Sequence, residues 1–137
     1  MIFTHDTEAA LQAAVELVNT AKEPDTLGST ASLTEFVERW GYSGRHDGTR
    51  AELDEVRALR PVLRRLFVAT RDDAAAQVNT ILAGAPALPQ LARHGAHDWH
   101  IHAVAPGEAL ATQIAVETAM AMVDVIRGAL EVGMRDF

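Results

Sequence analysis

The segment from Thr49 to Phe67 carries the pattern that most constrains how this chain can fold. Its apolar side chains recur at steps of three and four residues, as on one face of an α-helix: Leu53, Val56, Leu59, Leu63 and Leu66. Five arginines share the segment, although the net charge of the 137-residue chain is −7. The pattern predicts a core helix with an arginine ridge beside its apolar face, and we define the ridge as Arg57, Arg60 and Arg64.

Helical periodicity recurs in other segments, and together they predict a mainly α fold. We expect about five helices packed around a long C-terminal helix, at residues 7–22, 32–40, 49–67, 72–83 and 107–131. Two positions have the spacing of a capping box: Ser32 with Glu35, and Thr49 with Glu52. Pro61 lies inside the third helix and predicts a kink or a break between Leu59 and Val62, because proline removes a backbone hydrogen bond.

The chain between the last two helices changes to a period of two, which is typical of a strand. Alternate side chains fall on opposite faces: Trp99, Ile101 and Ala103 on one, and Asp98, His100 and His102 on the other. This alternation predicts one small antiparallel β-hairpin, with strands at about 89–93 and 98–104 and a turn at 94–97.

Composition narrows the classes of function. With 48% apolar and only 5% aromatic residues, small aliphatic side chains must fill the core, which favours packed helices. The acidic balance argues against nucleic-acid binding by the chain on its own.

The absence of cysteine excludes disulfides and thiolate zinc sites and fits a cytosolic protein. Neither a signal peptide nor a membrane span is apparent, so we expect a single cytoplasmic domain over residues 1–137.

Four segments, taken in order, resemble one protein family. They are ELVNT, which contains Asn19, the helix VRALRPVLRRLF, the strand DWHIHAV, and the helix AVETAMAMVDVIR running into MRDF. Together they resemble the N-terminal ABATE domain of bacterial CGNR zinc-finger proteins, which are described as stress-induced transcription regulators. The resemblance implies a non-enzymatic domain that senses an effector or binds a partner.

The same resemblance implies where zinc and DNA would bind. In that family a short C-terminal finger follows the last helix, and its cysteines bind zinc and contact DNA. This sequence has no cysteine and ends at Phe137. The resemblance therefore implies that the finger is missing here, that this chain has no zinc cofactor of its own, and that DNA is contacted only through that finger.

The arginine ridge is the first candidate site. Arg57, Arg60 and Arg64 are spaced at i, i+3 and i+7, so their guanidinium groups can converge on one anion. A small anionic effector carrying a carboxylate or phosphate would bind there. The structural alternative is that the ridge forms ion pairs within the protein, with Glu52, Glu55, Glu117 or Asp124 as partners.

The histidines are the second candidate. Three of the six precede an aspartate, as in HD-type phosphohydrolases, but these dipeptides fall in predicted loops and we interpret them as coincidence. His100 and His102 share one predicted strand face, and with Asp98 or His94 they could hold a divalent ion. That site would make the protein a small metal-dependent hydrolase. The structural alternative is a solvated or hydrogen-bonded strand face.

Asn19 is the third candidate, because a carboxamide in the last turn of a helix can cap a loop or contact a ligand. The candidate ligand-binding set is therefore Asn19, Arg57, Arg60, Arg64, Trp99 and His100. For Trp99 the competing role is that of a core anchor. A plain dimerisation module is a further alternative function, and a homodimer is an expected form of assembly.

Overall fold

The computed structural model describes residues 5–85, 87–92, 100–105 and 107–132. Within these ranges the chain forms five helices: α1 His5–Asn19, α2 Thr30–Trp40, α3 Arg50–Val68, α4 Arg71–Ala83 and α5 Leu110–Val132. Two short strands lie between the last two helices: β1 Ala87–Ala92 and β2 His100–Val104. The prediction of a mainly helical fold is confirmed.

The two strands pair antiparallel, with Gln90 opposite His102 and Ala92 opposite His100. The register is irregular between Ala87 and Gln90. The predicted turn at 94–97 lies outside the described residues, so the hairpin connection stays a prediction. Val104 at the end of β2 is buried against Val116 of α5, which attaches this pair of strands to the helices.

Helix α5 packs against three of the other four helices and one strand. It contacts α1, α3, α4 and β2. Side chains in several directions around its axis are almost completely buried: Leu110, Ile114, Val116, Thr118, Ala119 and Met122. A helix that is apolar nearly all round requires cover on every side, and this explains its central position.

Helix α3 is continuous through Pro61, so of the predicted kink or break the break does not occur, and the kink stays a prediction. Leu53 and Val56 before the proline, and Leu63 and Leu66 after it, are fully buried. The core therefore holds both halves of the helix in place, while the proline itself is exposed. No helix within the described ranges combines the length and the hydropathy that a membrane crossing requires.

The beginning of α2 differs from the prediction in a way that matters for the site. Its cap is Ser29, whose hydroxyl accepts from the Ser32 amide at 3.1 Å, while the Ser32 hydroxyl accepts from the Ser29 amide at 3.1 Å. The predicted pairing of Ser32 with Glu35 is wrong, because the extended backbone at Ser29 makes it the cap. The Glu35 side chain is consequently not used in capping.

Helix α1 also differs from the prediction. It ends at Asn19 rather than near Lys22, and the chain then enters a turn. Its buried face includes Leu11, Ala14 and Leu17, whereas Val15 is 41% exposed. The ending at Asn19 places that side chain at the rim of the loop formed by residues 20–29.

Candidate functional site

Two residues of the arginine ridge converge on one carboxylate. Arg60 donates to Asp25 through Nη1 at 3.1 Å and Nη2 at 2.9 Å, and Arg57 Nη2 lies 3.3 Å from the same carboxylate. Their spacing of three residues puts both side chains on one side of α3. We call this arrangement of Arg57, Arg60 and Asp25 the arginine fork.

The loop of residues 20–29 brings Asp25 to the fork. The Leu27 amide donates to Asp25 Oδ1 at 2.8 Å, and the Thr26 amide donates to the Thr20 carbonyl at 3.0 Å. The arginines also hold this loop directly, because Arg57 donates to the Leu27 carbonyl and Arg60 Nη1 donates to the Thr20 hydroxyl at 3.0 Å. The fork and the loop therefore form one hydrogen-bonded unit.

The fork keeps its carboxylate charged. The hydrogen bond from Arg60, followed by that from the Leu27 amide, lowers the pKa of Asp25 from its ordinary 3.8 to about 2, although burial acts in the opposite direction. Side-chain exposure is 9% for Arg60, 32% for Arg57 and 27% for Asp25. Solvent therefore reaches Arg57 and Asp25.

Arg64, the third member of the predicted ridge, does not join the fork. It is exposed and has no hydrogen bond or ion pair with another residue in the described ranges. The acidic partner of Arg57 and Arg60 is Asp25, which was not among the four partners considered from the sequence. Of those four, Glu52 pairs with His46 instead.

A cleft of about 340 Å³ adjoins the same loop. Its walls come from the last turn of α1, from the loop and from one face of α2. Leu27 and Phe36 are among the residues that line it, but both are almost completely buried and contribute little surface. Asn19 lines the cleft, and its side chain has no hydrogen-bond partner among the described residues.

One wall of the cleft carries an internal ion pair. Arg39 and the Trp40 indole both donate to the Glu16 carboxylate, each to a different oxygen. Glu35, on the same face of α2, is exposed and has no partner among the described residues. The cleft therefore contains one engaged carboxylate and one free carboxylate.

A second buried charge lies near the beginning of α3. Glu52 accepts from the amides of Asp47 at 2.6 Å and Gly48 at 3.0 Å, and its Oε1 lies 2.7 Å from His46 Nδ1. The other His46 nitrogen lies 2.9 Å from the Thr34 hydroxyl. The Glu52 side chain is 2% exposed, and we call these five residues the Glu52 cluster. It fastens the 41–49 loop between α2 and α3.

Several predicted site residues cannot be placed. Asp98 and Trp99 lie outside the described residues, and only the backbone of His100 and His102 is described. The predicted metal site and the predicted contacts of Trp99 and His100 therefore stay predictions. Elsewhere in the described part of the chain, no three potential metal-ligating side chains come together.

Sequence reasoning missed two residues that shape this region, Asp25 and Glu35. Asp25 stands two residues before Leu27, a spacing that indicates a local turn but not an arginine partner 35 residues away. Glu35 shares a helical face with Ser32 and Arg39, which the 3.6-residue period could have shown. Its assignment as a capping residue obscured that role.

The helical fold, the arginine fork and the adjacent cleft define the class of protein. It is a mainly helical domain with a cleft large enough for a small molecule. The family model of the ABATE domain, described as "Putative stress-induced transcription regulator", matches residues 11–129. The chain therefore belongs to the ABATE family, and the resemblance noted from its sequence is confirmed. The matched range includes both the fork and the cleft. No curated protein sequence matches the chain significantly.

Proposed function

We propose that this chain is the effector-sensing domain of a stress-responsive transcription regulator and that it acts by binding rather than catalysis. The effector is a small anion that binds the arginine fork in place of Asp25. The observation that carries this proposal is the convergence of Arg57 and Arg60 on one partly exposed carboxylate. A carboxylate or phosphate in solution offers the same oxygen geometry to the guanidinium groups.

Arg64 extends the proposed anion site by one turn of α3. It is four residues beyond Arg60, on the same side of the helix, and its charge is not neutralised by a described neighbour. An effector larger than a single carboxylate would therefore meet a third cation once it occupies the fork. Trp99 and His100 remain proposed further contacts.

Replacement of Asp25 provides a route for a signal. The effector would release the hydrogen bonds that Asp25 makes with Arg60, while the bonds from Arg57 to Leu27 and from Arg60 to Thr20 still link the fork to the loop. The loop would then change its position, and with it one wall of the cleft. Such a shift requires that the anion bind more tightly to the state in which Asp25 has left the arginines than to the state in which Asp25 is paired with them.

A titration with inorganic phosphate tests this proposal. The variant Asp25→Asn removes the internal competitor, so we expect it to bind phosphate about tenfold more tightly than the wild type, the change produced by about 1.4 kcal/mol. Asp54→Asn is a matched control, because Asp54 pairs with Arg50 on the exposed surface of the same helix. Phosphate binding that is equal in all three proteins, or absent from all three, would contradict the proposal.

DNA contact belongs to a different part of the regulator in this proposal. The net charge of −7 opposes association with a phosphate backbone, and the chain has no cysteine from which to build a zinc finger. We expect no duplex binding by residues 1–137 at moderate salt when a labelled promoter fragment is followed by fluorescence anisotropy. Salt-dependent binding at micromolar concentration would show instead that an arginine surface of this domain contacts DNA.

A further inference from the structure

Helix α1 has one exposed side, on which polar residues and a valine form a continuous stripe. The helix packs against α3 and α5, and Glu16 faces α2 through its bond with Arg39. The exposed residues recur at steps of three and four, so they share one face of the helix. We define the α1 stripe as Glu8, Gln12, Val15 and Asn19, all of which are exposed to solvent.

Val15 is the apolar centre of the α1 stripe. It is 41% exposed, and in the described part of the chain only Val68 is a large apolar side chain with still greater exposure. Val15 also lines a surface depression on α1, together with Leu11 and the polar residues that flank it. Contact with a partner at this point would remove apolar surface of Val15 from water, which favours association.

Unpaired charges of opposite sign lie at equal separations along the chain from Val15. Glu8 precedes it by seven residues, and Lys22 follows it by seven. Both side chains are exposed, and neither forms an ion pair with another residue in the described ranges. Glu16, the remaining charged residue between them, is already paired with Arg39. The exposed side of α1 is therefore acidic at one end and basic at the other.

Lys22 lies beyond the last residue of α1 but continues the α1 stripe. The chain keeps turning after the helix, because the Ala21 amide donates to the Val18 carbonyl at 3.2 Å and the Lys22 amide donates to the Asn19 carbonyl at 3.2 Å. Bonds of this i to i+3 type place residues three apart above one another, so Lys22 follows Asn19. Along the helix axis, Glu8 is about 10 Å from Val15 in one direction and Lys22 is about 12 Å in the other.

We propose that the α1 stripe is the interface of a weak homodimer, in which α1 packs antiparallel against α1 of a second copy across a two-fold axis at Val15. In this arrangement each Glu8 meets Lys22 of the other copy, and the two Val15 side chains contact each other. A parallel arrangement would bring like charges together at both ends, so the charges select the antiparallel one. The contact is independent of anion binding, because no residue of the arginine fork lies in the stripe.

Sedimentation equilibrium of the full chain measures this association. We expect the apparent mass to rise above the 14.8 kDa of the monomer as the concentration passes about 10⁻⁴ M, as for a small interface. Val15→Asp places two carboxylates on the two-fold axis and should weaken association at least tenfold. Val68→Asp makes the same change at the other exposed valine and should leave association unchanged. A wild type that stays monomeric at about 10⁻³ M, or an equal effect of the two variants, would overturn the proposal.

A charge exchange tests the pairing of Glu8 with Lys22. Glu8→Lys and Lys22→Glu each place like charges opposite one another twice per dimer, so each should weaken association by about tenfold. The double variant restores opposite charges and keeps the net charge at −7, so it should associate like the wild type. All three positions on α1 and its turn are exposed, and circular dichroism verifies that the variants fold. Opposite effects of the two single variants would show that only net charge matters, and failure of the double variant to restore association would place the interface elsewhere. Either result overturns the proposal.

Discussion

Glu52, near the beginning of α3, and Arg60, about two turns further along, are both charged side chains that the fold buries, but their surroundings differ. Glu52 accepts hydrogen bonds from two backbone amides and lies beside His46, and its side chain is 2% exposed. Arg60 is paired with a side chain that is 27% exposed, on a loop. A ligand could replace Asp25 as the partner of Arg60, but it could not replace the backbone amides that bind Glu52.

The difference indicates how to separate structural charges from candidate binding groups in this domain. Backbone amides cannot leave Glu52 without unfolding of the 41–49 loop, so that carboxylate is a structural group. In the proposed function, a dissolved anion replaces Asp25 while the bond from Arg60 to Thr20 remains. We therefore expect α3 to carry one closed charged cluster, around Glu52, and one that exchanges its carboxylate, the arginine fork, and the following variants test that distinction.

The largest expected loss of stability is from Glu52→Ala. It leaves the amides of Asp47 and Gly48 without their acceptor, so we expect destabilisation by about 3 kcal/mol and a fall in Tm of about 10 °C. Thermal unfolding followed by circular dichroism measures this. Glu55→Ala, on the exposed side of the same helix, is the control and should change little. Similar Tm values for the two variants would show that the Glu52 cluster is not structural.

Arg60→Ala should have a smaller effect, about 1 to 2 kcal/mol, because the Asp25 carboxylate that loses its partner can be hydrated. Urea unfolding provides the measurement, with the exposed Arg65→Ala as control. If Arg60→Ala lowered the free energy of unfolding as much as Glu52→Ala, the arginine fork would be a structural cluster like the Glu52 cluster. Phosphate binding should also be lost in Arg60→Ala, and its retention would separate the anion site from the fork.

The arginine fork should make the stability of the protein depend on pH in the acid range. Since the pKa of Asp25 is lower in the folded state, about 2 against an ordinary 3.8, its charged form stabilises the fold above that ordinary value. This contribution is lost as the pH falls from about 4 to about 2. Wild type and Asp25→Asn should therefore differ in Tm at neutral pH and converge in acid. A difference in Tm that is as large at pH 2 as at neutral pH would contradict the assignment.

The smallest effect on stability is expected for Arg64→Ala, within about 0.5 kcal/mol, because this exposed residue has no partner in the described part of the chain. Its effect on ligand binding should be larger. We expect a weakening of phosphate affinity by about threefold, as for one exposed charge pair. Arg50→Ala is the comparison, since Arg50 is at the other end of α3. Equal affinities in both variants would exclude Arg64 from the anion site.

Much of the helical architecture could be predicted from the sequence, because helix formation and burial follow local periodicity. The spacing of Leu53, Val56, Leu63 and Leu66 indicates the buried face of α3, and all four are fully buried. The apolar character of α5 likewise indicates its central position. Of the kink or break predicted at Pro61, the break does not occur because packing on both sides of the proline holds the helix together, and packing is not a local property.

The site depended on contacts between distant residues, which a single sequence does not determine. Helical spacing brought Arg57 and Arg60 together, but their partner Asp25 is 35 residues from Arg60 along the chain. Only the tertiary structure places the 20–29 loop against α3, and only the cap at Ser29 shows that Glu35 has no capping role. Periodicity determines which face of a helix is buried, whereas the packing of several elements decides which charges meet and which remain available to a ligand.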